Sequence, residues 1–206
     1  MTLIKVCGLR STEDITLINE AGPDMAGMIM VPGFRRTVSR ADAKTMVRAL
    51  SPSIRSVGVF MDQDPDEVVK TTEYVGFDIV QLHGGEDDGY IERIRDSLHV
   101  PVIKTFGIGR EQLEALEDSP ADFILVDPGH GSGIGFDLTI LKDIDRDIIV
   151  AGGLTPDNVG AAIRQISPYG VDTSSGIETD GAKDRDKINR FISAVRAEDD
   201  QKEEKK

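Results

Sequence analysis

The strongest constraint on this chain is an alternation repeated along its whole length. Short apolar runs rich in β-branched residues recur at 2–6, 25–30, 55–60, 77–82, 100–104, 121–126, 147–151 and 169–173. Each is followed by a segment with helical periodicity or helix-start chemistry. Ser11, with Asp14 three positions on, resembles a capping box ahead of the stripe Ile15, Ile18 and Ala21. Ser39 precedes residues 41–50, and Asp64-Pro65 and Thr155-Pro156 place proline in the first turn of a helix, the latter predicting a helix over 156–165. Strands alternating with helices imply right-handed βαβ units and a parallel sheet. An open doubly wound sheet and a closed barrel both satisfy that rule. Eight evenly spaced units in 206 residues, roughly 26 residues each, fall at the small end of the barrel range. No composition shift or Pro/Gly-rich linker divides the chain, so the expectation is a single-domain (β/α)8 TIM barrel over residues 1–197. All of residues 198–206 except Gln201 are charged, which predicts a disordered tail.

Composition removes several classes of function. With 24 Lys+Arg against 37 Asp+Glu the formal charge is −13, the wrong sign for a non-specific nucleic-acid binder. A single cysteine excludes a disulfide framework and any cysteine-rich zinc site. No run of about 18 apolar residues exists to form a transmembrane helix. The apolar stretch in MTLIKVCGLR is too short for a signal peptide. A cytoplasmic protein is therefore expected, with no membrane and no nucleic acid as partner.

In a (β/α)8 barrel the active site lies at the C-terminal ends of the strands, so polar residues just past each apolar run are the candidates. Strand alternation puts Leu3, Lys5 and Cys7 on one face and Ile4 and Val6 on the other. If the latter face the helices, Lys5 and Cys7 point into the barrel, where the cation would favour the thiolate and lower the thiol pKa. The ordinary alternative for a free cysteine is a small buried hydrophobe. Asp127 closes the run Phe123–Val126 and suits a general acid; before Pro128-Gly129 it could equally be a turn residue. Gly152-Gly153 ends the seventh run and Asp172-Thr173-Ser174-Ser175-Gly176 the eighth. Loops at these two places commonly form a phosphate site, glycine letting backbone N–H groups approach the anion. Arg36 could hold a carboxylate bidentately, although most exposed arginines are merely solvated. His83 ends Val80-Gln81-Leu82 without the neighbours a metal site needs. Lys104 ends the fifth run as a candidate cation of the barrel mouth. The glycine-rich stretch Pro128–Gly135 reads as a loop that could close over a small phosphorylated ligand.

Taken together, these residues resemble the phosphoribosylanthranilate isomerase family over about residues 3–195. Lys5-Val6-Cys7-Gly8 is similar to the family's opening motif, and Arg36-Thr37-Val38-Ser39 to the stretch carrying its substrate arginine. Val57-Gly58-Val59-Phe60, Gln81-Leu82-His83-Gly84, Ala151-Gly152-Gly153-Leu154 with Pro156 and Asn158, and Val171–Glu178 match further segments. The resemblance implies Cys7 as general base, Asp127 as general acid, and Lys5, Arg36, His83 and Asp172 as substrate-binding residues, Arg36 on the anthranilate carboxylate. Gly152, Gly153, Ser174, Ser175 and Gly176 would hold the phosphate. The implied reaction is an Amadori rearrangement of a phosphorylated aminoaldose, needing no metal and no organic cofactor, in a monomer or homodimer. This chain departs from the family pattern at Phe34-Arg35, where Ser-Pro is usual, at Pro128, where Ser or Thr is usual, and at Gly133-Ile134-Gly135 and Leu138 in the following loop.

Three other readings share part of this pattern. The isomerase of histidine biosynthesis uses two Asp residues, whereas the first strand here ends in Cys7. Ribulose-phosphate 3-epimerase needs metal-ligating His and Asp residues that this chain does not arrange. A non-catalytic barrel that senses a phosphorylated metabolite is the third.

Overall fold

A computed structural model describes residues 1–129, 138–142 and 144–203. Eight parallel strands close on themselves in chain order: β1 (Leu3–Val6), β2 (Met25–Ile29), β3 (Arg55–Phe60), β4 (Ile79–Leu82), β5 (Val102–Phe106), β6 (Phe123–Val126), β7 (Ile148–Val150) and β8 (Gly170–Thr173). The barrel shuts where β1 pairs with β8, Lys5 lying opposite Asp172. The expected (β/α)8 barrel is thus the fold, and every strand overlaps its apolar run.

Helices α1 (Thr12–Ala21), α2 (Arg40–Ala49), α3 (Pro65–Val75), α4 (Asp88–Leu98) and α5 (Arg110–Asp118) follow β1 to β5 in turn. α6 (Val159–Ile166) follows β7 and α7 (Arg185–Glu203) closes the chain. The start signals work locally: Ser11, Ser39 and Asp64 each accept a backbone N–H from the first turn of their helix. Asp14 reaches back past the Ser11 cap and accepts the Arg10 N–H at 2.8 Å, one residue earlier than a capping box would have it.

Alternation along the strands separates two cores. Ile4, Val6, Ala26, Met28, Val80, Leu82, Ile124 and Val126 pack outward against the helices. Met25, Ile29, Val57, Val59, Ile79, Ile103, Leu125 and Ile149 fill the barrel interior, with Cys7 at its top.

Four expectations are corrected. No α-helix follows β6 among the described residues; a 3-10 turn, Leu138–Leu141, stands there. α6 starts three residues after Pro156, because Asn158 folds back to accept the Thr155 N–H at 2.7 Å and to donate to the Gly153 carbonyl at 3.0 Å. β5 begins at Val102, after Pro101, which has no N–H for the ladder, and it runs on to Phe106. The expected tail boundary at 197 also fails: α7 continues to Glu203, with Glu198 and Asp199 buried. Asp199 accepts the Thr2 N–H and hydroxyl at 2.9 and 2.7 Å, which fastens the helix under β1.

Candidate active site

The C-terminal ends of the strands enclose a cavity of about 610 Å³. Cys7, Arg36, His83, Asp127 and Asp172 line it, together with Phe34, Phe106, Gln81 and Thr105. A smaller lobe of about 140 Å³ is lined by Gly152, Gly153, Ser174, Ser175 and Gly176. The two lobes share Asp127, Asp172 and Ser174. The loop expected to cover them, Pro128–Gly135, lies mostly outside the described residues.

Lys5 and Cys7 both point inward from β1. The Lys5 ammonium, fully buried, donates to Asp172 at 2.8 Å. Burial works against its charge, yet Asp172 and Cys7 together hold its pKa above the ordinary lysine value. The expected depression of the Cys7 thiol does not occur. Burial pushes its pKa up; Lys5 and Lys183 draw it back only in part, and Asp172 adds to the rise. Desolvation of the charged form outweighs a cation that is already committed to a carboxylate.

Asp127 follows β6, one carboxylate oxygen accepting the Gly129 N–H at 2.9 Å and the other standing 3.9 Å from His83 Nε2. It is therefore a turn residue and a cavity residue at once. His83 Nδ1 sits 3.0 Å from Gln81 Nε2 and 3.3 Å from the Thr105 hydroxyl. Burial lowers its pKa, so the imidazole is held neutral. Gly152 has φ of +88°, and a side chain there would sit 2.7 Å from Pro128 and 3.0 Å from an Asp127 carboxylate oxygen. Only glycine lets the loop after β7 lie against Asp127. Gly176 is similarly constrained, since a Cβ would collide with the Leu154 carbonyl.

Of the adjacent pair, Arg36 is the largely covered cavity residue and Arg35 the exposed one. The Arg36 fork is already engaged, Nε and Nη2 donating to the two oxygens of Glu178 at 2.9 and 3.0 Å. Lys104 is not in the mouth. Period two along β5 turns Ile103 and Thr105 inward and Lys104 outward, where its ammonium donates to the Gly84 carbonyl at 2.6 Å and to Glu86 at 3.0 Å. β5 runs on to Phe106, two residues past the end of its apolar run, so Lys104 does not stand at the strand's end.

Sequence reasoning missed Thr105, the role of Glu178, and Lys183. Glu178 stood inside the Val171–Glu178 segment as a plain match. Lys183 carries no local signal at all, lying on a two-residue strand. Among the described residues no group of three or more His, Cys, Asp or Glu is placed to hold a metal ion. None of their helices is long and apolar enough to cross a membrane.

A closed (β/α)8 barrel with a glycine-lined lobe after β7 and β8, opening onto a thiol and a carboxylate at the C-terminal mouth, defines a (β/α)8-barrel enzyme. The model of the N-(5′-phosphoribosyl)anthranilate isomerase family matches residues 4–194, and this chain belongs to that family. The isomerase of Acetivibrio thermocellus is 39% identical over 97% of this chain and 98% of its own length. The crystal structure of the Thermotoga maritima enzyme superposes with a TM-score of 0.88 at 33% identity, covering 96% of this chain and all of that one. A further crystal structure of a phosphoribosylanthranilate isomerase holds reduced 1-(o-carboxyphenylamino)-1-deoxyribulose 5-phosphate and superposes with a TM-score of 0.85 at 33% identity, over 96% of this chain and 100% of that one.

Proposed function

We propose that this chain isomerises N-(5′-phosphoribosyl)anthranilate to 1-(o-carboxyphenylamino)-1-deoxyribulose 5-phosphate, a step of tryptophan biosynthesis, with Asp127 as general acid and Cys7 as general base. One observation carries the residue assignments: the glycine-lined lobe and the larger cavity meet at Asp127, Asp172 and Ser174. A ligand with its phosphate on the Gly152-Gly153 and Ser174–Gly176 backbone has its sugar between the carboxylate and the thiol.

Asp127 gives its proton to the furanose ring oxygen as the C1′–O bond breaks and the anthranilate nitrogen forms a cationic Schiff base. That cation acidifies the C2′ proton, which the Cys7 thiolate removes from within about 3 Å. The electron pair moves into the enolamine, and tautomerisation delivers the ketone. The substrate supplies its own electron sink, so this route calls on no metal or organic cofactor. Arg36 receives the anthranilate carboxylate; its bonds to Glu178 leave Nη1 unused. Anchoring both ends places C2′ between acid and base. Asp172 orients a sugar hydroxyl from the Lys5 pair, and neutral His83 lies beside the acid. A thiol base is lost on oxidation, which fits a reducing cytoplasm.

Cys7→Ala and Asp127→Asn should each lower kcat by at least about 10²-fold, the usual scale for an acid–base group. The readout is loss of anthranilate-type fluorescence as substrate is consumed. Near-wild-type turnover in either variant would overturn that residue's role. Binding by the intact protein without loss of fluorescence would favour the metabolite sensor. Arg36→Ala should act mainly on KM, and an effect confined to kcat would remove the carboxylate anchor.

A further inference from the structure

Behind Arg36 lies a buried ion cluster that the reaction steps do not use. Glu178 and Lys183 are register partners across the hairpin of β9 (Glu178–Thr179) and β10 (Ala182–Lys183). Their side chains are 5% and 1% exposed and meet at 3.1 Å. Lys183 donates its other bonds to the Cys7 carbonyl at 2.8 Å and the Ser174 carbonyl at 2.9 Å. Glu178 gives both oxygens to the Arg36 fork at 2.9 and 3.0 Å and also takes a bond from Arg35 at 3.2 Å. The Arg36 shaft lies directly on the backbone after Cys7: a Cβ on Gly8 would sit 2.7 Å from Arg36 Cδ and 2.7 Å from Ser174 Oγ. One hairpin thus connects the backbone of the base, the phosphate-side loop and the guanidinium.

We infer that Glu178, with Lys183 as its buried counter-charge, is a positioning residue that fixes Arg36 relative to Cys7 and so registers the carboxylate end of the substrate against the base. This rests on the reading of Arg36 as the carboxylate anchor. A free arginine side chain loses rotamer freedom when it binds, whereas a fork already held by a carboxylate has lost it beforehand. Three cations, Arg35, Arg36 and Lys183, share the single Glu178 carboxylate. The cluster therefore keeps net positive charge for an anion, in a chain whose formal charge is −13.

Two effects of removing the Glu178 charge have opposite signs, which makes the inference testable. Glu178→Gln raises the local positive charge but sets an amide N–H₂ against a guanidinium N–H, so the fork no longer fits. Titration calorimetry would use the reduced product analogue with and without its ring carboxylate, and inorganic phosphate as reference. If Glu178 positions Arg36, Glu178→Gln weakens the carboxylate-bearing analogue about 10-fold, the scale of a charge-assisted hydrogen bond, and leaves the other two ligands within about 2-fold. In an Arg36→Ala background the same substitution should then have no further effect. Unchanged or tighter binding of the carboxylate-bearing analogue overturns the inference. Glu178→Gln combined with Lys183→Met also removes the buried ammonium that Glu178→Gln alone leaves without its carboxylate and should show the same selective loss; wild-type discrimination there also overturns it. Arg36→Ala alone separates the two levels: if it leaves carboxylate discrimination intact, the anchor itself fails and the positioning role with it. If it abolishes discrimination while the Glu178 variants keep it, only the positioning role fails.

Discussion

At the scale of single residues, the chemistry depends on how enclosure competes with charge. Cys7 sits in a site where burial raises its pKa and two lysines oppose the rise. As the proposed base, such a thiol is mostly protonated at neutral pH, so kcat should climb as pH rises past neutrality. Lys5→Met removes a cation that favours the thiolate, and the climb should move further to the alkaline side. A pH–rate profile of the two proteins checks this; an unshifted profile would mean that Lys5 does not act on Cys7. That Lys5 and Cys7 share the interior face of β1 follows from strand alternation alone. The direction of the thiol shift does not. It depends first on enclosure of the thiol by the closed barrel, and Asp172, 167 positions from Lys5, adds to the rise and already claims the Lys5 ammonium. Lys183 was invisible for the same reason, since its bond to the Cys7 carbonyl spans 176 positions.

At the scale of elements, the ends of strands and helices carry the function. The loop after β7 can lie against Asp127 because Gly152 has no side chain and takes a left-handed conformation. Gly152→Ala should cost about 1–3 kcal/mol of stability through backbone strain. It should also lower kcat roughly 10-fold by moving Asp127, the proposed acid; urea unfolding and steady-state kinetics measure the two effects separately. Helix starts at α1, α2 and α3 were legible, because a serine or aspartate cap is a contact between residues two or three apart. The end of β5 and the start of α6 were not, because each depends on ladder or loop partners elsewhere. At the other end of the barrel, Asp199 holds Thr2. Asp199→Ala should therefore lose about 1–3 kcal/mol, the cost of leaving buried donors unpaired, with kcat unchanged. Removal of residues 198–206 should likewise destabilise the protein in a denaturant titration, where a disordered tail would make no difference.

At the scale of the whole molecule, the pH dependence of stability reflects groups at both ends of the barrel. Burial works against ionisation of Glu178, yet Arg36 and Lys183 hold its carboxyl below the usual range; the Thr2 bonds do the same for Asp199 against its own burial. His83 is lowered by burial. A group with a depressed folded pKa contributes stability above its unfolded pKa and loses it as pH falls through the folded value. The contribution of these three groups should therefore be lost first as pH drops below about 6.5, where an unfolded histidine takes up its proton, and further below about 4.3, where unfolded carboxylates do; Asp172, whose carboxyl burial pushes up, acts with the opposite sign. Urea titrations between pH 4 and 8 of this protein and of His83→Gln check the sign, since the variant should lack the loss below about 6.5, and an identical pH dependence in the two would contradict it. The eight strands were determined by the sequence itself, because period-two and helical patterns are local, and eight evenly spaced units of one hand favoured the closed barrel over an open sheet. So was the set of groups at the strand ends that marks the family. Tertiary structure alone decided which charges face each other. The pairing of Lys5 with Asp172, of Arg36 with Glu178, and of Lys183 with the backbone behind Cys7 joins the first strands to the last, and an ion pair closed across the whole chain leaves no periodicity in the sequence to read.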